Sequence, residues 1–157
     1  MSESFPVGIG TPQVLGLVDV IKENGGSMGI AELGDEAEVD ADSLLPMLDI
    51  CSLLKLVSIR EGTITLTNLG ERVNSRNFSK KIGEELARIE PFKAIIAELR
   101  KGKIKGTNKL VAMLEGKGIT HYGKDKEGIA ELKRMLTQWG VRSKLLAYDP
   151  EHDVWSV

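Results

Sequence analysis

Apolar positions first recur at helical spacing, with Val14, Leu15, Val18 and Ile21 on one face behind Thr11-Pro12, until Asn24-Gly25-Gly26 stops the run. Thr11 is the expected cap, because its side-chain oxygen can accept a free amide, and Pro12 loses no hydrogen bond in a first turn. Ser27 is the expected cap of a short second helix over MGIAELGDEA. Asp42 is expected to cap a third, with Pro46 in its first turn and Leu44, Leu45, Leu48, Cys51 and Leu53 or Leu54 as its buried stripe. The period then changes: LVSIR and TITLT alternate as strands do, and Glu61-Gly62 between them is a hairpin turn. Three helices followed by a β-hairpin is the winged-helix order, and Asn68 to Arg72 begin the helix that leaves it.

The pattern beyond residue 75 is helical again. IGEELARI breaks at Glu90-Pro91, and FKAIIAELRK continues with the proline opening a second helix. A glycine-punctuated basic segment, RKGKIKGTNK, leads into KLVAMLEG. Ile129, Leu132, Met135, Leu136 and Trp139 then fall at helical spacing, with Gly140 as the expected close, and LLAYD and DVWSV flank Pro150-Glu151-His152 as a second hairpin. The expectation is an α+β, mostly helical chain with two winged-helix-like modules, each made of helices followed by a two-stranded β-hairpin. The first spans residues 11–75, a helical connector spans 76–101, and a second, reduced module spans 102–157.

Composition narrows the function. Hydrophobic residues at 41% and charged residues at 28% describe a water-soluble chain that can close a core. Aromatics at 4% predict a core of Leu, Ile, Val and Met, and few rings for stacking nucleic-acid bases. No run reaches the roughly 18 apolar residues of a membrane span, and MSESFPVGIG lacks the features of a secretory signal, so a cytoplasmic protein with no membrane insertion is expected. Charge is uneven: residues 1–75 hold 4 Lys/Arg against 12 Asp/Glu, a net of −8, and residues 76–157 hold 17 against 11, a net of +6. That asymmetry fits head-to-tail contact, self-association or a polyanion on the basic half.

DSLLPMLDICSLLKLVSIREGTITLTNLGERVNS, with its D-LL-P helix, hairpin and LT-LG-R exit, resembles the AAA-associated C-terminal domain family, found after the ATPase domain of nitrate and sulfonate type ABC transporters. The close, WGVRSKLLAYDPEHDVWSV, resembles that family's ending, so the resemblance runs from about residue 11 to 157. Here the domain is read as a stand-alone chain with no ATPase sequence before it. The resemblance implies a regulatory or docking attachment and offers no catalytic residues.

Sites of other kinds are thinly supplied. Gly118 to Lys124 match G-x-x-x-x-G-K, but Asp125 stands where a phosphate loop needs Ser or Thr for magnesium, and a carboxylate there repels phosphate. Cys51, His121 and His152 are the soft ligand types, scattered and without metal-site spacing. No catalytic group, cofactor, metal or small-molecule substrate is therefore expected. The third helix carries Asp40, Asp42 and Asp49 and ends on a single cation, Lys55, which is the wrong sign for a DNA groove. The candidate polyanion or partner surface is instead Arg100, Lys101, Lys103, Lys105, Lys109, Lys124, Lys126, Lys133 and Arg134. The leading expectation is a non-enzymatic regulatory or protein-docking protein, associated with an ABC transporter ATPase or with itself. The alternative is a dimeric DNA-binding transcriptional regulator that uses the basic half.

Overall fold

The structure is a computed structural model and describes residues 5–123 and 125–157. It is mostly helical α+β, and it divides into two compact units. One is Ile9–Lys81; the other joins the segment before Ile9 to Ile82–Val157.

The first unit runs α1 (Thr11–Glu23), β1 (Ser27–Gly29), α2 (Ile30–Ala37), α3 (Ala41–Leu53), β2 (Val57–Arg60), β3 (Thr63–Leu66), α4 (Asn68–Arg72) and the start of α5 (Phe78–Leu86). Its helices and hairpin lie where the hydrophobic period places them. The sheet, however, has three antiparallel strands in the order β1-β3-β2, not two. Ser27 is therefore a strand residue paired with Thr65, not a helix cap, and Met28 covers Ile64 from the next register position. A strand of three residues is too short to show a period. Two caps also shift: Gly10 precedes α1, its amide held by Gln13 Oε1 at 2.7 Å, and Thr11 is a buried first residue. Asp40, not Asp42, caps α3, its carboxylate accepting the Ser43 amide at 2.9 Å.

Leu17, Ile21, Leu33, Leu48, Leu54 and Ile64 are fully or almost fully buried in this unit. Each such side chain contributes about 1.5–3 kcal/mol on leaving water. The LT-LG stretch closes the β2–β3 hairpin. Thr67 donates its hydroxyl to the Lys55 carbonyl at 2.6 Å and its amide to the Leu56 carbonyl at 3.0 Å, while its oxygen caps α4 through the Gly70 amide at 3.1 Å. A Cβ at Gly70 would stand 2.1 Å from the Leu56 carbonyl oxygen, so glycine is required there.

The second unit contains the rest of α5, then α6 (Phe92–Leu99), β4 (Ile104–Lys105), α7 (Thr107–Gly116), α8 (Lys126–Met135), a π-helical turn (Leu136–Val141), β5 (Ala147–Asp149) and β6 (Val154–Ser156). The expected second hairpin again gains a third antiparallel strand, in the order β4-β6-β5. Gly140 does not end the helix before it; it lies inside the π turn and accepts the Leu145 amide at 3.0 Å. The core here departs from the aliphatic expectation. Phe5 packs edge-on against Trp139 (5.0 Å between ring centres) and Phe92 (5.3 Å), and all three are fully buried. The Tyr122 hydroxyl donates to the Phe5 carbonyl at 2.8 Å, and Trp155 Nε1 donates to Thr107 Oγ1 at 3.2 Å, so the buried polar ends are satisfied.

Candidate functional site

The outer face of α3 follows from its inner one. Leu44, Leu48, Cys51 and Leu54 fill the core, which turns Asp42, Leu45, Asp49 and Ser52 outward at spacings of three, four and three. Leu45, expected in the buried stripe, is 52% exposed. It falls outside the helix arc occupied by the buried Leu44, Met47, Leu48, Ile50 and Cys51. The outward stripe is thus one aliphatic side chain between two carboxylates, and the helix carries no Lys or Arg. The β2–β3 turn pairs Glu61 (φ 49°) with Gly62 (φ 79°), the two positive angles of a tight hairpin turn, and Arg60 and Glu61 are both exposed.

The basic residues of the second unit are placed as follows. Arg100 caps the C-terminal end of α6, Lys101 and Lys103 lie in the loop to β4, Lys105 is on β4 and Lys109 on α7. Lys126, Lys133 and Arg134 are on α8, and all eight are exposed. Lys124 lies outside the described residues. The loop and strand cations are consecutive, but carboxylates interleave with them. Glu98 pairs with Lys101 at 3.7 Å and with Lys117 at 4.0 Å, and β6 brings Asp153 beside Gly106. Lys133 sits 4.9 Å over the Tyr148 ring, which in turn packs on Trp155, a cation–π contact that anchors the ammonium to the sheet.

The remaining chemistry-bearing groups are dispersed. Burial pushes the Cys51 thiol up to about 12, which keeps it protonated and inert. In the phosphate-loop look-alike, Tyr122 turns into the core and Gly123 packs on Val111, where a Cβ would stand 2.5 Å from Cγ2. Asp125 caps α8 by accepting the Gly128 amide at 2.7 Å, occupying the helix end a phosphate would need. His152 Nδ1 lies 2.8 Å from Asp149 Oδ2, and that hydrogen bond holds the Asp149 carboxyl below its ordinary range. Ligand-type atoms of Asp149, Glu151 and His152 lie within 4.8 Å of one another, all on an exposed turn where the Asp149 carboxylate also accepts the Glu151 amide. Among the described residues, no helix is long and apolar enough to cross a membrane.

One further feature escaped the sequence. Between α1 and the α2–α3 turn lies an open groove of about 600 Å³, with Leu17, Val20, Val39 and Met47 on its floor and Glu36, Glu38 and Asp40 on its rim. Its only sequence signals are a glycine at mid-helix, Gly16, and a run of carboxylates.

These features define a small, mostly helical α+β domain whose most distinctive surfaces are polar-rimmed apolar patches. The profile of the C-terminal AAA-associated domain family matches residues 31–149, and the chain belongs to that family. The family is an associated regulatory domain, not a catalytic one, which points to a regulatory role beside an AAA or ABC ATPase. None of the curated proteins matches the chain.

Proposed function

We propose that the chain is a non-enzymatic winged-helix protein that regulates by docking on another protein, the ATPase of an ABC transporter being the partner its family suggests. Residues 11–75 form the winged-helix module in this reading, 76–101 a helical connector and 102–157 a second, reduced module. The helix, strand, helix, helix, hairpin order of the first unit supports the winged-helix assignment. The observation that carries the docking role is the outward stripe of α3. A helix meant for a DNA groove needs cations for phosphate and polar donors for bases, whereas this one offers Leu45 between Asp42 and Asp49. An exposed leucine ringed by polar groups suits a protein interface, where a buried aliphatic anchor supplies affinity and charges set register.

The inert Cys51 thiol and the separation of His121 from His152 favour a role without catalysis. DNA binding by the basic half is the weaker reading, because Glu98 and Asp153 stand among its cations.

The direct test is co-elution of the full chain with the purified ATPase subunit of a nitrate or sulfonate type ABC transporter from the same source. A complex is expected, and Leu45→Arg should weaken it by about tenfold or more without lowering the thermal midpoint, since an interface anchor is worth on the order of 2 kcal/mol. Failure to form a complex, or a complex indifferent to Leu45→Arg, would sink the reading.

A further inference from the structure

We infer that the groove between α1 and the α2–α3 turn is a second docking site, shaped for a short helix of a partner protein that presents an apolar side chain flanked by lysines or arginines. The inference rests on the docking role proposed above but uses a different face, since the groove lies against the inner side of α3 and the Asp42, Leu45, Asp49 stripe lies on its outer side.

Size and charge specify the occupant. The α1 wall runs from Pro12 to Val20, about 12 Å at 1.5 Å per residue, which matches two turns of a helix laid alongside. The floor is apolar, and the facing wall carries Glu36, Glu38 and Asp40 within five residues. Among the described residues no Lys or Arg lines the groove, and none of these three carboxylates is ion-paired. A basic amphipathic segment supplies what the groove lacks on both counts.

Two residues argue that the groove is kept open at a cost to the fold. Gly16 is exposed in the middle of α1, where glycine is less favourable than alanine, yet a Cβ there would meet nothing within 4 Å. Nothing among the described residues requires a glycine at that position, whereas a partner backbone lying close against α1 does. Glu38, at the C-terminal end of α2, adopts φ 55° and ψ 44°, a left-handed conformation that glycine occupies without strain. The chain keeps a carboxylate there instead. Gly16 on the α1 wall and Glu38 on the facing wall both line the groove.

The test uses two synthetic helical peptides, identical in their leucine stripe and carrying lysines in one and glutamates in the other. Each is titrated into the isotope-labelled full chain and followed by amide chemical shifts. The lysine peptide should shift Gly16, Val20, Glu38 and Val39, and the glutamate peptide should leave them in place. Replacing Glu36 and Glu38 together by Gln should weaken binding about tenfold, the size expected of two exposed charge contacts acting together. Gly16→Ala should raise the thermal midpoint by about 2 °C while weakening the peptide. A merely structural role would not move stability and affinity in opposite directions. Equal binding of both peptides, no binding of either, or a Gly16→Ala variant that binds undiminished would overturn the inference. Shifts centred on Leu45 and Asp49 would also overturn it while leaving the α3 reading intact, and a complex lost on Leu45→Arg but kept in the Gly16 variant would separate the two in the same way.

Discussion

The two units build helices over a three-stranded antiparallel sheet from different materials. In Ile9–Lys81 the core is mostly aliphatic, with Phe78 its buried ring, assembled from a stretch of chain whose helices and strands follow one another, and the surface is acidic. In the other unit Phe5, Phe92 and Trp139 meet from positions far apart in sequence, Trp155 anchors the sheet, and the surface is richer in cations. The aromatic unit commits its large side chains inward and leaves its cations among carboxylates. The aliphatic unit leaves Leu45 outside, tolerates Gly16 and strains Glu38. Leu45, Gly16 and Glu38 all lie in the unit that carries both the α3 stripe and the groove.

The sharpest way to break each unit differs accordingly. In the aliphatic unit, Gly70→Ala forces a Cβ to within 2.1 Å of a backbone oxygen that the Thr67 clamp holds in place. It should cost about 4 kcal/mol or more and unfold the wing, read as a large drop in urea midpoint. In the aromatic unit, Trp139→Ala empties the centre of the ring cluster and should cost about 3–5 kcal/mol by the same measurement. A milder change isolates the anchoring of the N-terminal segment: Tyr122→Phe removes only the hydrogen bond to the Phe5 carbonyl and should cost about 1–2 kcal/mol, with loss of amide protection around Phe5.

The smallest effect concerns the exposed turn after β5. The His152 ring holds the Asp149 carboxyl below its ordinary range. A carboxylate lowered by folding stabilises the native state above its unfolded pKa and loses that contribution as pH falls through the folded value. Carbon-detected titration should therefore place Asp149 below its ordinary range, and His152→Ala should return it there with little change in global stability.

Much of the architecture was legible because it rests on period. Val14, Val18 and Ile21 declare α1, and the change from spacing of three and four to alternation at Val57 declares the wing. The third strand of each sheet was not legible, since two or three residues carry no period, and each was recognised only through its partner across the sheet. The caps at Gly10 and Asp40 lay one or two residues from the expected ones, since Gly10 has no side-chain oxygen to announce a cap and Asp42 carries the same carboxylate as Asp40. The aromatic centre was invisible because Phe5 joins it from outside every periodic segment. The family motif was readable, and its Thr67 and Gly70 serve the fold by holding the β2–β3 hairpin against the start of α4. The proposed docking faces use ordinary leucine and carboxylates, and only three-dimensional placement separates Leu45 from Leu44.

The outward face of α3 carries carboxylates and no cation, and duplex DNA is the ligand that reads that sign. Fluorescence anisotropy of a labelled duplex, titrated with the full chain at about 50 mM salt where phosphate contacts are strongest, should show no saturable binding. Saturable binding that weakens steeply as salt is raised, and is lost when residues of α3 or the wing are changed, would contradict the account.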